Sequence, residues 1–204
     1  MTNQETYGPL YDIQYLRAAA QSYGSKPHWF GLGFIQLKLN DRERIHFWCP
    51  EIPHPEREEI HDHRYNFTST VLAGSLHFEL YEYKEVLYRP IASHELFQTD
   101  CAPGHEGNKD PKVYGASLEH RGTYDLVAGS QYWFSEKQFH TTEGTEYAIT
   151  HLLREPKTKQ FANVIKAKGA PTTCPFAVTM PEEKLWDHIM IALTRAWPYK
   201  NRIY

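Results

Sequence analysis

The sequence predicts one β-rich domain of the sandwich or barrel class, with a helix at each end. Its 14 tyrosines, 10 phenylalanines and 5 tryptophans favour sheet. Short strand-like segments recur at even spacing and are separated by turn residues, as in sandwiches and barrels. The 204 residues are enough to bury a sizeable core in one unit. We expect a single domain over 1–204, with an N-terminal helical extension over 1–30, a β-barrel over 31–165 and a C-terminal helix over 179–198.

The first elements are a helix, a hairpin and a loop. A helix is predicted over 9–22 because apolar residues recur at helical spacing, at Leu10, Ile13, Leu16 and Ala20. Gly24 follows as the stop signal. Alternating patterns over 33–40 and 44–48, joined by an Asn-Asp turn, predict a hairpin. Three prolines exclude a central strand over 50–59, which we expect to be a loop.

The rest of the barrel is predicted as a series of short strands. After the segment that begins at Ile60, further strands are expected over 76–83, 93–99, 113–120, 122–127, 131–134, 138–142 and 147–154. The composition of 101–111 indicates a loop, either a lid over a pocket or an ordinary surface insertion. The closing helix begins with the capping-box pattern Thr179-Met-Pro181-Glu182, and an apolar stripe continues it at Leu185, Ile189, Ala192 and Ala196.

Charge and cysteine usage exclude several classes of function. The net charge of −3 and the pI of about 6.5 give no strong nucleic-acid signal. Four lysines after the last predicted barrel strand are explained as a solvated basic segment, at Lys157, Lys159, Lys166 and Lys168. The three cysteines, Cys49, Cys101 and Cys174, are far apart, which argues against a disulfide framework or a thiolate zinc site. No leader pattern and no long apolar run are present, so we expect a cytoplasmic protein without membrane partners.

Histidines near the middle of the chain form the candidate site. His61 and His63 lie two residues apart in a segment with β-branched and aromatic neighbours, so on a strand both imidazoles face the same side. Two co-facial imidazoles are half of a metal site. A third ligand must come from a distant strand, and His140 is the candidate.

These residues resemble the two motifs of the cupin family. The first motif, G-x5-H-x-H-x3,4-E-x6-G, is matched in spacing by His61, His63 and Gly74, with Pro55 in place of the first glycine. The second motif, G-x5-P-x-G-x2-H-x3-N, starts at Gly129 and places its histidine at His140. Ser135, Lys137 and Gly144 replace its proline, second glycine and asparagine. The resemblance covers 55–144 and implies a double-stranded β-helix, or jelly-roll barrel.

The resemblance implies a metal centre without a carboxylate ligand, because Phe67 or Thr68 stands where the motif has glutamate. Within the family, a three-histidine site is similar to the iron centre of cysteine dioxygenase-like thiol dioxygenases and of a few ring- or diketone-cleaving dioxygenases. The run from Ile60 to His63 resembles their Ile-His-Asp-His, although neither the cysteine nor the tyrosine of their thioether cross-link is matched, and Leu153 stands at the tyrosine position. This implies Fe(II), with Zn, Ni, Cu or Mn as alternatives. The implied partners are dioxygen and a small molecule, for example a thiol such as cysteine.

Further roles are expected around this centre. The catalytic candidates are His151, Arg64 and Tyr65. His151 could lie behind the metal as a hydrogen-bond partner or proton shuttle. The alternative is an ordinary histidine whose hydrogen bonds are satisfied elsewhere. A substrate carboxylate could bind one of three arginines, by analogy with the family, at Arg42, Arg44 or Arg64. The cavity lining is expected from Tyr65, Phe67, Trp133 and Phe139, and Glu79 or Glu82 is the alternative carboxylate ligand.

Two other functions fit the same barrel. A sugar or sugar-phosphate isomerase or epimerase usually keeps a carboxylate ligand or an acid–base pair, and neither is evident here. A non-catalytic cupin that binds a ligand or metal agrees with the altered letters of the second motif. Since one barrel hosts many activities, the fold alone does not choose between these functions. The sequence gives no indication of the oligomeric state.

Overall fold

The structure is a computed structural model that describes residues 12–30, 33–52, 59–88, 91–99, 114–145, 147–169 and 180–196. Its elements in chain order are α1 (Ile13–Tyr23), β1 (His28–Phe30), β2 (Phe34–Lys38), β3 (Glu43–Trp48), β4 (Ile60–His61), β5 (Phe67–Ala73), β6 (Ser75–Val86), β7 (His94–Thr99), β8 (Tyr114–Val127), β9 (Gln131–Phe134), β10 (Phe139–Gly144), β11 (Ile149–Arg154), β12 (Ala162–Ala167) and α2 (Glu182–Ala196). The predicted all-β core with flanking N- and C-terminal helices is confirmed, and it is consistent with a cupin β-sandwich.

The strands form two antiparallel sheets. The first, here called sheet A, has the order β1-β2-β3-β11-β5-β9. The strands of the second, sheet B, close on themselves in the order β10-β4-β12-β7-β8-β6. Sheet B closes where β10 pairs with β6 on one side and with the two-residue strand β4 on the other. This closure brings residues 61 and 140 together although they are far apart in sequence.

Both helices cover one face of sheet A. Asp12 caps α1 by accepting from the backbone N–H groups of Gln14 and Tyr15, and Gly24 ends the helix at φ 73°. The predicted stop at Gly24 is therefore confirmed. The apolar stripes of α1 and α2 pack on alternate residues of sheet A, and the most buried members of this cluster are Leu16, Ile35, Leu37, Ile45, Phe47, Ile52 and Ile189.

The other face of sheet A looks towards sheet B. Trp48, Val71 and Ala148 of sheet A or its margins pack there with Leu76 and Phe78 of sheet B. Side chains alternate along a strand, so the sequence neighbours of these residues face the opposite way: towards the helices in sheet A, and towards the interior of sheet B in that sheet. Leu96, Phe139 and Ile165 form a separate buried cluster on the opposite side of the sheet B strands. The space between the sheets is referred to below as the inter-sheet layer.

The strand predictions differ from the structure at several places. The predicted strands over 113–120 and 122–127 are one strand, β8, which continues through Gly122 with nearly extended backbone. The pairing with β6 shifts between Leu80 and Tyr81, so β8 takes up an extra residue there as a bulge instead of ending. The segment that begins at Ile60 forms two strands, β4 and β5, and the strands β1 and β12 were not predicted.

The expectation of a solvated lysine segment was wrong for two of its members. Lys166 lies in β12 with its side chain 6% exposed, and its ammonium is 2.5 Å from the Glu59 carboxylate. The Lys159 ammonium is 2.5 Å from the buried carboxylate of Asp62. Lys157 and Lys168 are exposed, as expected.

Several predictions fall on residues that the structure does not describe: Leu10, Pro55, the 101–111 loop, Cys101, Cys174 and the Thr179 cap. The division into residues 1–30, 31–165 and 179–198 remains a prediction. Among the described helices, neither is long and apolar enough to cross a membrane.

Candidate metal centre

Three histidines from separate parts of the chain meet in the inter-sheet layer. His61 of β4 and His140 of β10 are cross-strand partners, so their side chains lie on the same face of sheet B. His63 follows β4 by two residues and returns to that face. One nitrogen from each of the three imidazoles lies within 4.8 Å of the others. The grouping expected from the His-x-His pattern and the distant His140 is therefore present in the fold.

Backbone carbonyl groups orient two of the rings. The Nδ1 atom of His61 lies 2.9 Å from the Glu59 carbonyl, and the Nδ1 atom of His140 lies 3.2 Å from the Gln138 carbonyl. A carbonyl oxygen only accepts, so Nδ1 carries the proton and Nε2 keeps its lone pair. This is the arrangement by which proteins fix the tautomer of a metal-binding histidine.

The spacing of the nitrogens fits one shared ion. The Nε2 atoms of His63 and His140 are 3.4 Å apart. Two nitrogens that are each about 2.1 Å from an ion lie about 3.0 Å apart at a right angle and about 3.4 Å apart at a tetrahedral angle. The ring centroids of the three histidines are 4.7–5.1 Å apart. The His63–His140 spacing therefore fits a shared divalent metal ion, and the ligand nitrogen of His61 lies within 4.8 Å of both.

The electrostatics of the cluster favour neutral imidazoles. Burial lowers the pKa of His63 well below its usual value, and the charges of His61, His140 and Arg44 act in the same direction. Burial also lowers the pKa of His140, again with a contribution from His61. A neutral imidazole is the form that binds a metal ion. Two of the three ligands are thus ready to coordinate at neutral pH.

A buried carboxylate holds the segment between the two neighbouring histidines. Asp62 is 2% exposed and points away from the cluster, towards β12. Its oxygens accept from the Asn163 backbone N–H at 2.7 Å, the Asn163 side-chain amide at 2.6 Å and the Lys159 ammonium at 2.5 Å. Burial raises the pKa of the Asp62 carboxyl, while the Asn163 and Lys159 contacts lower it. These contacts fix the turn from which His61 and His63 project.

Aromatic rings border the cluster, but they are only partly the expected ones. Phe67, at the position of the missing glutamate, is 3% exposed, and its ring centroid is 4.8 Å from that of His63. Phe134 is 4.6 Å and Phe78 6.2 Å from the His140 ring. Tyr132 packs against Phe67 and Phe78. The layer around the histidines is therefore mainly apolar.

Two of the expected lining residues lie elsewhere. Trp133 is 55% exposed, because its neighbours Tyr132 and Phe134 face inward and alternation turns Trp133 outward. Phe139 precedes His140 and packs in the cluster on the opposite side of its strand. The expectation that these two residues line the cavity was wrong. Phe78, Tyr132 and Phe134 line the cluster in their place. Tyr132 and Phe134 could have been identified from the sequence if the inward face of β9 had been known.

Cations gather at one side of the histidines, around Tyr65. The guanidinium carbons of Arg44 and Arg154 are 5.2 and 5.4 Å from the centroid of the Tyr65 ring, which is itself 5.7 Å from the His63 ring. Burial lowers the pKa of Lys38, and the charges of Arg44, Arg154, Lys157 and Arg64 lower it further. This cationic side of the site includes the predicted Arg44, Arg64 and Tyr65. The sequence analysis did not include Arg154 among the candidates. Arg154 lies two residues after Leu152, which faces inward, so alternation along the strand would have placed both side chains on the same face.

Other expected site residues lie away from the centre. His151 is on the face of sheet A opposite to Leu152, and its Nε2 is 3.1 Å from the Glu43 carboxylate. The His151 side chain therefore lies on the opposite side of sheet A from the three histidines. Arg42 is exposed, with its Nε donating to the Arg154 carbonyl at 3.3 Å.

The alternative carboxylate ligands are also placed elsewhere. Glu79 accepts from the Tyr81 hydroxyl at 2.7 Å, and Glu82 is ion-paired with Arg121. Within the described ranges, the cluster that could hold a metal contains only histidines. Fold and site together define a β-sandwich with a three-histidine centre between its sheets.

Comparison with known proteins gives solved structures of low sequence identity. No protein-family model and no curated protein matches the chain. A structure of FeII HppE is 12% identical over 65% of this chain and 57% of its own, with a TM-score of 0.34. Hydroquinone 1,2-dioxygenase from Sphingomonas sp. TTNP3 with 4-hydroxybenzoate bound is 11% identical over 56% of this chain and 60% of its own, with a TM-score of 0.27.

A third structure aligns over more of its length. Hydroquinone 1,2-dioxygenase PnpCD in complex with Cd2+ and 4-hydroxybenzonitrile is 15% identical over 82% of this chain and 80% of its own, with a TM-score of 0.31. The chain spans less than two thirds of the length of the first two structures. All three similarities are distant, so the chemistry of the site must carry the functional argument.

Proposed function

We propose that the protein is a mononuclear metal-dependent oxygenase in which His61, His63 and His140 hold Fe(II) for the reaction of a small molecule with dioxygen. The observation that carries this proposal is the convergence of three imidazoles in a cluster to which the described residues add no carboxylate. Such a ligand set leaves several coordination positions for exogenous ligands. Imidazole suits iron, zinc, copper and nickel, so the choice of iron rests on the resemblance to three-histidine dioxygenases.

A bound ferrous ion would supply the binding of substrate and dioxygen and the redox chemistry of the reaction. The protein contributes a fixed set of neutral nitrogen donors, two of them oriented by the Glu59 and Gln138 carbonyls. The rings of Phe67, Phe78 and Phe134 restrict water around these nitrogens. Their role is to keep the reaction site dry.

Charge supports an anionic substrate. Three neutral imidazoles leave the charge of a divalent ion uncompensated, and Arg44 adds positive potential at His63. Arg44 and Arg154 lie on the Tyr65 ring beside the cluster. A substrate with a thiolate, enolate or phenolate at the ion and a second anionic group near these arginines would balance this charge. Thiols such as cysteine meet this description and belong in the substrate screen.

The proposal is tested by metal analysis of protein purified without an affinity tag or chelator. We expect near-stoichiometric iron in the wild-type protein and loss of iron in His140→Ala. His120→Ala is the matched control, because His120 is an exposed histidine of β8 outside the cluster. Oxygen uptake is then screened with thiols, diketones and catechol-like compounds. Metal-free wild-type protein that takes up no oxygen after ferrous reconstitution would refute the oxygenase proposal, and bound metal without uptake would favour a metal- or ligand-binding protein.

A further inference from the structure

A buried lysine lies close to the segment that carries His61. Lys166 of β12 is buried, and its ammonium is 2.5 Å from a carboxylate oxygen of Glu59. The same ammonium is 6.0 Å from the centroid of the Phe97 ring. Lysine is almost never fully buried unless it is paired, and a buried ion pair is often no more stabilising than apolar side chains of similar volume. The presence of this pair therefore points to a role other than stability.

The strand register places this ion pair next to His61 on sheet B. In the pairing of β12 with β4, Ile165 is opposite Ile60. One residue further in the same register, Lys166 is opposite Glu59. Because alternate residues along a strand share a face, Glu59 lies on the same face of the sheet as His61. The ion pair is therefore the next cross-strand pair on the face that carries the histidine cluster.

Glu59 connects the ion pair to the candidate ligand through its own backbone. The Glu59 carbonyl lies 2.9 Å from Nδ1 of His61, a contact that orients the ring and leaves Nε2 for an ion. Glu59 comes directly before β4, so its peptide group lies at the end of the pairing with β12. The contact of its carboxylate with Lys166 joins this end to β12. Lys166 and His61 are thus linked through a single residue.

The short strand β4 makes this link important. It contains only Ile60 and His61, so the ladder with its neighbours holds few residues in place. On its other side, Asp62 is held by Lys159. The segment is therefore flanked by two lysine–carboxylate contacts, and the contact of Glu59 is the one whose residue also supplies the acceptor for a ligand ring.

We propose that the Lys166–Glu59 ion pair positions the metal centre: it holds the Glu59 carbonyl in place and so fixes the tautomer and the direction of the His61 imidazole. This inference rests on the proposed function, because His61 needs a fixed direction as a metal ligand. Lys166 acts through Glu59 and is a positioning residue. Loss of the ion pair should therefore weaken metal binding more than it lowers stability.

The first test removes both charges together, in the variant Glu59→Gln/Lys166→Met. Replacement of a whole buried ion pair is often neutral for stability, so we expect a melting temperature within about 2–4 °C of the wild-type value. The affinity for Co(II), measured from its visible spectrum against a competing chelator, should fall by about 10–100-fold. Glu82→Gln/Arg121→Met is the matched control, because it removes an exposed ion pair between β6 and β8 and should leave this affinity unchanged.

The second test measures the tautomer of His61 in metal-free protein. The nitrogen chemical shifts of an imidazole show which of its two nitrogens carries the proton. In the wild-type protein we expect the Nδ1–H form for both His61 and His140, since each Nδ1 faces a backbone carbonyl. In the double variant, His61 alone should become a mixture of tautomers. His140 is the internal control because its acceptor is the Gln138 carbonyl.

The outcomes separate this proposal from the proposed function. A wild-type protein that binds neither Co(II) nor Fe(II) would refute both. Unchanged Co(II) affinity or an unchanged His61 tautomer in the double variant would refute the positioning role alone, whatever its melting temperature. If the double variant does not fold, Glu59→Gln keeps an oxygen acceptor for Lys166 and allows the same two measurements. A smaller loss of affinity is then expected, and wild-type affinity would again refute the positioning role.

Discussion

Replacement of Asp62 by alanine should destabilise the protein and weaken the metal centre together. The Asp62 side chain is 1% exposed and accepts from three donors, two on Asn163 and one on Lys159. Removing one partner of a buried ion pair typically costs about 3–5 kcal/mol, because the remaining groups are left unsatisfied. Lys159 is 27% exposed, so water partly compensates its charge. The backbone N–H of Asn163 would remain without its acceptor, which costs about 1–3 kcal/mol.

From these contacts we expect Asp62→Ala to lower the free energy of unfolding by about 3–5 kcal/mol. For a chain of this length the loss corresponds to a fall of about 6–20 °C in melting temperature. The assay is urea unfolding of metal-free protein, followed by circular dichroism. Asp125→Ala is the control, because Asp125 is 76% exposed in its contact with His77 and should change stability by at most about 0.5 kcal/mol.

The metal centre provides a second readout. His61 and His63 flank Asp62, so loss of its contacts with β12 should misplace both imidazoles. We expect metal affinity to fall by about 10–100-fold, the range found when residues that orient metal ligands are removed. Asp62→Asn keeps one acceptor and should be intermediate in both assays. If Asp62→Ala lost less than about 1 kcal/mol and bound metal like the wild-type protein, the idea that Asp62 holds the ligand segment would be wrong.

Three further predictions concern pH, thiol reactivity and packing. Burial and Arg44 lower the pKa of His46 to about 3, so the folded state binds fewer protons than the unfolded state between pH 3 and 6.5. Stability should fall by up to about 1.4 kcal/mol per pH unit on acidification through this window, and the difference between wild type and His46→Gln, measured by urea unfolding from pH 6.5 to 4, should show that slope. Burial raises the pKa of Cys49 to about 12, so in a Cys101→Ser/Cys174→Ser background it should resist iodoacetamide at pH 8 until the protein is unfolded. A Cβ atom at Gly144 would overlap the Trp48 ring, so Gly144→Ala should lower stability by about 1–3 kcal/mol, and prior replacement of Trp48 by leucine should reduce that loss.

Local sequence signals predict those parts of the fold whose pattern depends on neighbouring residues. The hairpin of β2 and β3 follows from alternation on both sides of a turn, and Gly24 ends α1 because it adopts a positive φ. The strand β12 was missed because two lysines make its surroundings look like a solvated segment. The burial of Lys166 depends on the Glu59 carboxylate, which is more than a hundred positions earlier in the chain. No local pattern contains that information.

The candidate site was predictable as a set of ligands but not as a cavity. His61, His63 and His140 could be identified because metal coordination restricts residue type and spacing. The lining depends on which face each strand presents, and an error of one residue reverses the assignment of every side chain. This explains why Trp133 was expected in the lining in place of Tyr132 and Phe134. It also explains why the sequence left a role of His151 behind the metal open, although the side chain contacts Glu43.

The position of Phe67 connects the ligand set to the choice of substrate. A carboxylate ligand there would cancel one positive charge of a divalent ion and occupy one coordination position. The Phe67 ring does neither, and it packs against His63 and Phe134 in the inter-sheet layer. A divalent ion bound by the three histidines would thus keep its full positive charge within an apolar wall, where electrostatic interactions are stronger than in water. Arg44 adds to that positive charge. The binding preference of the site should therefore depend first on the negative charge of a ligand and only then on its shape.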